Sequence, residues 1–161
     1  MFWLYVCPDE LFSDMSRDKA SALLSTLISA MKTSTSAIGG SDDRKCIWVS
    51  YDMIEPGDAF GRVMCRNLQS AGHRVPGFTD YPSLEAQKQR FIDAGAAHAV
   101  SRTMLHAYHL LVSHEEQQRL HRLEMMDEVE EWELINRHYA VTVASFFSNN
   151  TYNNILTKYS V

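Results

Sequence analysis

The sequence predicts an α/β domain built on a largely parallel sheet. Two continuous apolar runs, Phe2–Val6 and Cys46–Val49, have the character of strands covered on both faces. The second passes through a polar rim, Ser50-Tyr51-Asp52, and a turn, Glu55-Pro56-Gly57-Asp58, straight into a helical pattern. Strand, rim and capped helix in succession form half of a βαβ unit. In open α/β sheets that rim, at the carboxyl ends of the strands, is where ligands sit.

The elements follow in order. Phe2–Val6 is the first strand. Asp14 or Ser16 can cap a helix through about Lys32, whose Ala20, Leu23, Leu24, Leu27, Ile28 and Met31 form one stripe. Thr33 to Asp43 is a loop of small residues, and the second strand spans about 45–51. Asp58 is a good N-cap, and Phe60, Val63, Met64 and Leu68 fall on one helical face until Gly72 ends the helix. Ala71 to Pro82, with two Pro and two Gly, is a loop. Ser83 to Ala94 is a short helix, ended by Gly95, with Leu84, Phe91 and Ile92 inward. A weak strand spans about 97–104. Ser113 and Glu116 form a capping box that opens a helical region to about Arg137, broken near Met126. Its apolar face is Leu120, Leu123, Val129, Trp132 and Ile135. The last strand spans about 139–147. The domain is thus 1–147, with a tail at 148–161.

Composition narrows the function. With 161 residues and 45% hydrophobic content, one domain with a core is expected. A net charge of −5 argues against binding a nucleic-acid backbone. No apolar run reaches membrane-spanning length, and Met1–Val6 is too short for a signal sequence. Three cysteines without CxxC spacing point to reduced thiols and a cytoplasmic setting.

The acidic run Glu124, Asp127, Glu128, Glu130, Glu131 and Glu133 spreads around a helix, which favours a solvated face over a metal site. His106 and His109 have no Cys or acidic partner nearby, so a loop role is favoured over metal ligation. No GxGxxG, GxSxG or HExxH stretch is present.

Three ordered blocks carry a family resemblance. Tyr51–Leu68 (YDMIEPGDAFGRVMCRNL) resembles the Y-E-x-[IVM]-x-P-x-D-x-F-G-x-x-M-x-x-N-L stretch of the leucine carboxyl methyltransferases. Tyr81–Gly95 resembles that family's P-[ST]-L-E-[AS]-Q-[KR]-x-R-F-x-x-x-G-W, with Ala96 in place of the Trp. Arg122–Tyr139 resembles R-[IL]-E-x-[LF]-D-E-x-E-E-W-x-L-x-x-x-H-Y. The tRNA wybutosine-synthesising relatives share these blocks.

The resemblance implies the C-terminal half of a class I S-adenosylmethionine-dependent, Rossmann-like methyltransferase sheet. Phe2–Val6 corresponds to the family's fourth strand. The order along this chain becomes one, two, four, three, with the last strand antiparallel. The N-terminal strands, the glycine-rich loop and the acid for the ribose lie outside the sequence. A fragment, a mis-started gene model and a degenerate paralogue all stay open. The implied activity is esterification of the C-terminal leucine of the protein phosphatase type 2A catalytic subunit, with S-adenosylmethionine as cofactor. A non-catalytic interaction domain is the alternative.

By resemblance Tyr5 lies beside the cofactor. Asp58 and Arg62, at the rim, are the candidate substrate contacts, although capping accounts for the larger part of Asp58's role and Arg62 stands evenly between surface and substrate. No catalytic or metal-ligating residue is singled out. An unpartnered Phe2–Val6 edge is expected to favour self-association.

Overall fold

The computed structural model describes residues 2–7, 12–36, 45–123 and 127–146, without side-chain description for 2–5, 7, 31–36, 45 and 46. In chain order these form β1 (Phe2–Cys7), α1 (Arg17–Ser36), β2 (Lys45–Met53), α2 (Ala59–Ser70), α3 (Pro76–Asp80), α4 (Leu84–Asp93), β3 (His98–Thr103), α5 (Met104–Leu111), α6 (His114–Leu123), α7 (Val129–Arg137) and β4 (Tyr139–Ser145).

The four strands make one mixed sheet in the order β1-β2-β4-β3. β1 and β2 are parallel, and β4 runs antiparallel to both β2 and β3. The order and the reversed last strand are those expected.

Register sets the core. Trp48 pairs with Ala144, which pairs with Ala99, and Ser50 pairs with Thr142, which pairs with Ser101. These residues point to one face, and all are buried. Small residues on β4 leave room for the Trp48 indole. Ala20, Leu24 and Ile28 of α1 and Phe91 of α4 join Trp48, Ala99 and Ala144 in the same core cluster. Phe12, Trp48 and Phe91 meet with centroids 6.0–6.4 Å apart, tilted or edge-on. The opposite face, Ile47, Val49, Tyr51, Val141 and Val143, is only half-buried. The expectation that β2 is covered on both faces therefore holds on one face alone. Val6 of β1 is 69% exposed, so this position of the first strand is not buried either.

Several elements differ from expectation. The loop at 71–82 contains α3, started by Pro76 at its first helical positions. β3 gives way at Met104 to α5, where Thr103 caps the His106 N–H at 3.1 Å. His106 and His109 therefore sit on a helix, not in a loop. The mixed polar and apolar residues between Leu105 and Leu111 hide this helix from a periodicity argument. The first N–H of α1, on Arg17, donates to Asp80 Oδ2 at 2.7 Å, so that cap comes from α3 rather than from the Asp14 or Ser16 side chain. The helix runs to Ser36, into the stretch read as loop. Positions 37–44 and the tail 148–161 lie outside the described residues. Ser113 caps α6, but the Glu116 carboxylate turns to Arg119 instead of closing the box.

Candidate functional site

The three sequence blocks meet at the carboxyl end of β2. Alternation turns Asp52, the next-to-last residue of that strand, inward, and Arg90 reaches it from α4. Arg90 Nη2 donates to Asp52 Oδ2 at 2.8 Å and to Ser50 Oγ at 3.2 Å, with both ionic side chains at most 3% exposed. The Ser50 hydroxyl donates to the same carboxylate oxygen. The guanidinium lies 4.3–4.9 Å from the ring centres of Phe12, Tyr81 and Phe91. One turn earlier on α4, Gln87 donates through Nε2 to the Tyr81 carbonyl at 3.0 Å. Arg90 Nε and Gln87 Oε1 are buried with no hydrogen-bond partner among the described residues.

Beyond Asp52 the chain passes through a tight crossing. The Ile54 N–H donates to the His138 carbonyl at 2.9 Å and the Glu55 N–H to the Pro82 carbonyl at 2.8 Å. Glu55 takes a left-handed φ of 61°. Its carbonyl presses against the start of α2, where a Cβ on Gly61 would lie 2.0 Å from the Glu55 oxygen. Only glycine permits that approach.

Asp58 joins this crossing to the start of β4. Its Oδ1 accepts the Gly61 N–H at 2.7 Å, which caps α2, and its Oδ2 lies 2.9 Å from His138 Nε2. His138 is buried, its Nδ1 is 2.7 Å from the Leu134 carbonyl, and its ring lies 4.4 Å from Phe60. Both ring nitrogens thus face oxygen acceptors. Both bonds form together only when the ring carries both protons. The Gly61 N–H holds the Asp58 carboxyl below its ordinary value; burial opposes this, and His138 and Arg62 reinforce it. Behind His138, Tyr139 stacks on Tyr51 at 4.9 Å and 6°.

The candidate residues from sequence fall as follows. Asp58 is half exposed at the rim and is confirmed as a helix cap. Arg62 is exposed beside it and donates through Nη1 to the Gly57 carbonyl. Tyr5 lies on β1 opposite Trp48, and its side chain is outside the described residues. The buried Arg90 and Gln87 and the link from Asp58 to His138 are not foreseen in the sequence. Polar residues at 87 and 90 beside the inward Phe91 are the available signal, because i and i+3 share a helical face. The acidic run, for its described residues, is exposed or half-exposed. No group of three or more His, Cys, Asp or Glu gathers at metal-binding distance among the described residues. No described helix is long and apolar enough to cross a membrane.

These rim residues do not by themselves make a nucleoside site. Asp52 is closed in by Arg90, and Asp58 is committed to the Gly61 N–H and to His138. A ribose needs an acceptor carboxylate free to take its hydroxyls.

No protein-family model matches the chain. Among curated proteins it is 41% identical over 98 residues to leucine carboxyl methyltransferase 1 homolog of Arabidopsis thaliana, covering 61% of this chain and 30% of that protein. A probable leucine carboxyl methyltransferase 1 of Caenorhabditis briggsae is 31% identical over 130 residues, 81% of this chain and 36% of the relative. The tRNA wybutosine-synthesizing protein 4 of Rattus norvegicus is 35% identical over 99 residues, 62% of this chain and 14% of the relative. The matched stretch thus spans about a third or less of each of these relatives.

Proposed function

This chain is a sequence relative of the leucine carboxyl methyltransferases, and on that premise we propose that it forms the acceptor-side half of a class I, Rossmann-like S-adenosylmethionine-dependent methyltransferase. The acceptor is a C-terminal leucine carboxylate, that of the protein phosphatase type 2A catalytic subunit, in the cytoplasm. One observation carries the reading: the three family-like blocks converge on one rim, through Asp52–Arg90, Ile54–His138, Glu55–Pro82 and Asp58–His138.

A carboxylate is already a nucleophile at neutral pH, so the chemistry asks for orientation rather than a base. Arg62 supplies the exposed cation that holds the acceptor carboxylate, Asp58 fixes the helix that carries Arg62, and Tyr5 flanks the methyl donor. The adenosine and methionine contacts that a glycine-rich loop makes have no counterpart in these 161 residues. The tRNA-modifying reading shares the same relatives, but the net charge of −5 favours a protein acceptor.

Two measurements test this. Peptides ending in leucine with a free carboxylate should bind the chain, and Arg62→Gln should weaken them; equal binding of the amidated peptide overturns the proposal. Calorimetric titration of this chain alone with S-adenosylmethionine should give no usable binding. Micromolar affinity would place the cofactor contacts within these residues and overturn the acceptor-side assignment.

A further inference from the structure

Two of the helices between β3 and β4, α6 and α7, leave most of their apolar residues exposed. α6 and α7 bury none of their residues, although Leu120, Leu123, Val129, Trp132 and Ile135 are spaced as a core stripe would be. With Tyr108 of α5 these side chains line a groove of about 810 Å3. Leu123 is 67% exposed, and Leu120, Val129 and Ile135, which line the groove with it, are exposed as well. Apolar surface concentrated in this way marks a docking site.

The rim of the groove selects the partner. Asp127, Glu128, Glu131 and Glu133 line it, with no Lys or Arg among the described lining residues. Glu133 is paired with Arg137 at 2.7 Å. The described residues give Asp127, Glu128 and Glu131 no ion pair. An apolar floor under an anionic rim is complementary to an amphipathic helix with basic flanks. The same rim disfavours an anionic membrane, an acidic peptide and a second copy of a chain that carries −5. α6 and α7 have ten and nine residues, so the groove holds about three turns of a docked helix.

We propose that the α5–α7 groove docks a basic amphipathic helix of another protein, with Leu-like residues at i, i+3, i+4 and i+7 on the groove and Lys or Arg on the flanks. α7 runs directly into His138, so the bound partner lies next to the Asp58 rim. The proposal is independent of the methyl-transfer reading and stands on the groove alone.

Fluorescence anisotropy on the full chain is the test, with a labelled Leu/Lys peptide of about four helical turns in that pattern. A scrambled peptide of the same composition and a Leu/Glu version serve as controls. The Leu/Lys peptide should bind in the micromolar range, and the Leu/Glu peptide should not bind. Leu123→Asp should weaken binding about tenfold. Glu128→Lys combined with Glu131→Lys should do the same and flatten the salt dependence between roughly 0.05 and 0.5 M. All three positions are exposed, so the fold should survive. Glu128 and Glu131 open α7 and Leu123 closes α6, so melting should fall by no more than a few degrees from the reversed helix-end charges. Equal binding of the scrambled peptide, or no effect of Leu123→Asp, overturns the proposal. So does a dimer of the free chain that Leu123→Asp dissociates, because a second copy would then be the occupant.

Discussion

Replacing Arg90 by methionine removes the cation from the most enclosed ion pair described in the molecule. Asp52 and Arg90 are 2.8 Å apart, with side chains 3% and 2% exposed. Without Arg90 the Asp52 carboxylate keeps only Ser50 as a described side-chain partner, in a site closed by Phe12, Tyr81 and Phe91. Breaking a buried pair from one side costs about 3–5 kcal/mol. Methionine keeps the apolar contact with the three rings but loses their attraction for the cation, about 1 kcal/mol more. Arg90 Nε has no partner, so part of that buried donor's desolvation cost, about 1–3 kcal/mol, is relieved by the change. The expected net loss is therefore about 3–5 kcal/mol, a large part of a typical domain's stability. Urea unfolding of Asp52→Asn, Arg90→Met and the double variant measures it, and the coupling should be about 2 kcal/mol. A loss below about 1 kcal/mol for Arg90→Met, the value of an exposed pair, or strict additivity of the two changes, would refute the reasoning.

Gly61→Ala should cost at least about 2 kcal/mol, because the new Cβ meets the backbone oxygen of Glu55 at 2.0 Å, and a melting temperature equal to that of the parent would rule this out. Asp58→Asn should retain the cap and lose at most about 1 kcal/mol, since the carboxylate is half exposed. The folded-state pKa of Asp58 lies below its ordinary 3.8, so its contribution is complete above about pH 4 and is lost as the pH falls through the folded value. The variant should lack that acid-side loss in pH-dependent melts; coincident acid limbs would contradict the assignment. β1 pairs with β2, and its other edge pairs with no described strand. Sedimentation should therefore show self-association that Trp3→Lys with Leu4→Lys reduces, and a stable parent monomer would argue against it.

The sheet was legible in the sequence because its strands are bounded by strong punctuation. Gly72 and Gly95 both take positive φ where they end α2 and α4, and Asp58 and Ser83 cap those helices as their positions suggest. The helix α5 was not legible: Leu105 and Ala107 are buried, but Leu110 and Leu111 are exposed, so no clean period marks it. Periodicity marks the apolar face of α6 and α7 but cannot say whether such a face is covered. The site was half legible. Asp58 and Arg62 stand out as polar residues at a strand end, whereas the inward Arg90 and the His138 partner 80 residues away depend on the sheet register. A buried arginine is rare enough that sequence alone argues against it.

Placing β4 between β2 and β3 has a consequence for biosynthesis. Among the described strands β3 hydrogen-bonds only to β4, and β2 needs β4 to complete its second edge. During translation residues 45–53 and 98–103 both emerge before the strand that joins them. At about 5–20 residues per second, the β2 edge waits on the order of ten seconds for residues 139–145. Over that interval two β-rich segments are exposed to other nascent chains. A stop codon between residues 104 and 138 would leave both permanently without their shared neighbour, so the last described strand acts as the keystone of the sheet.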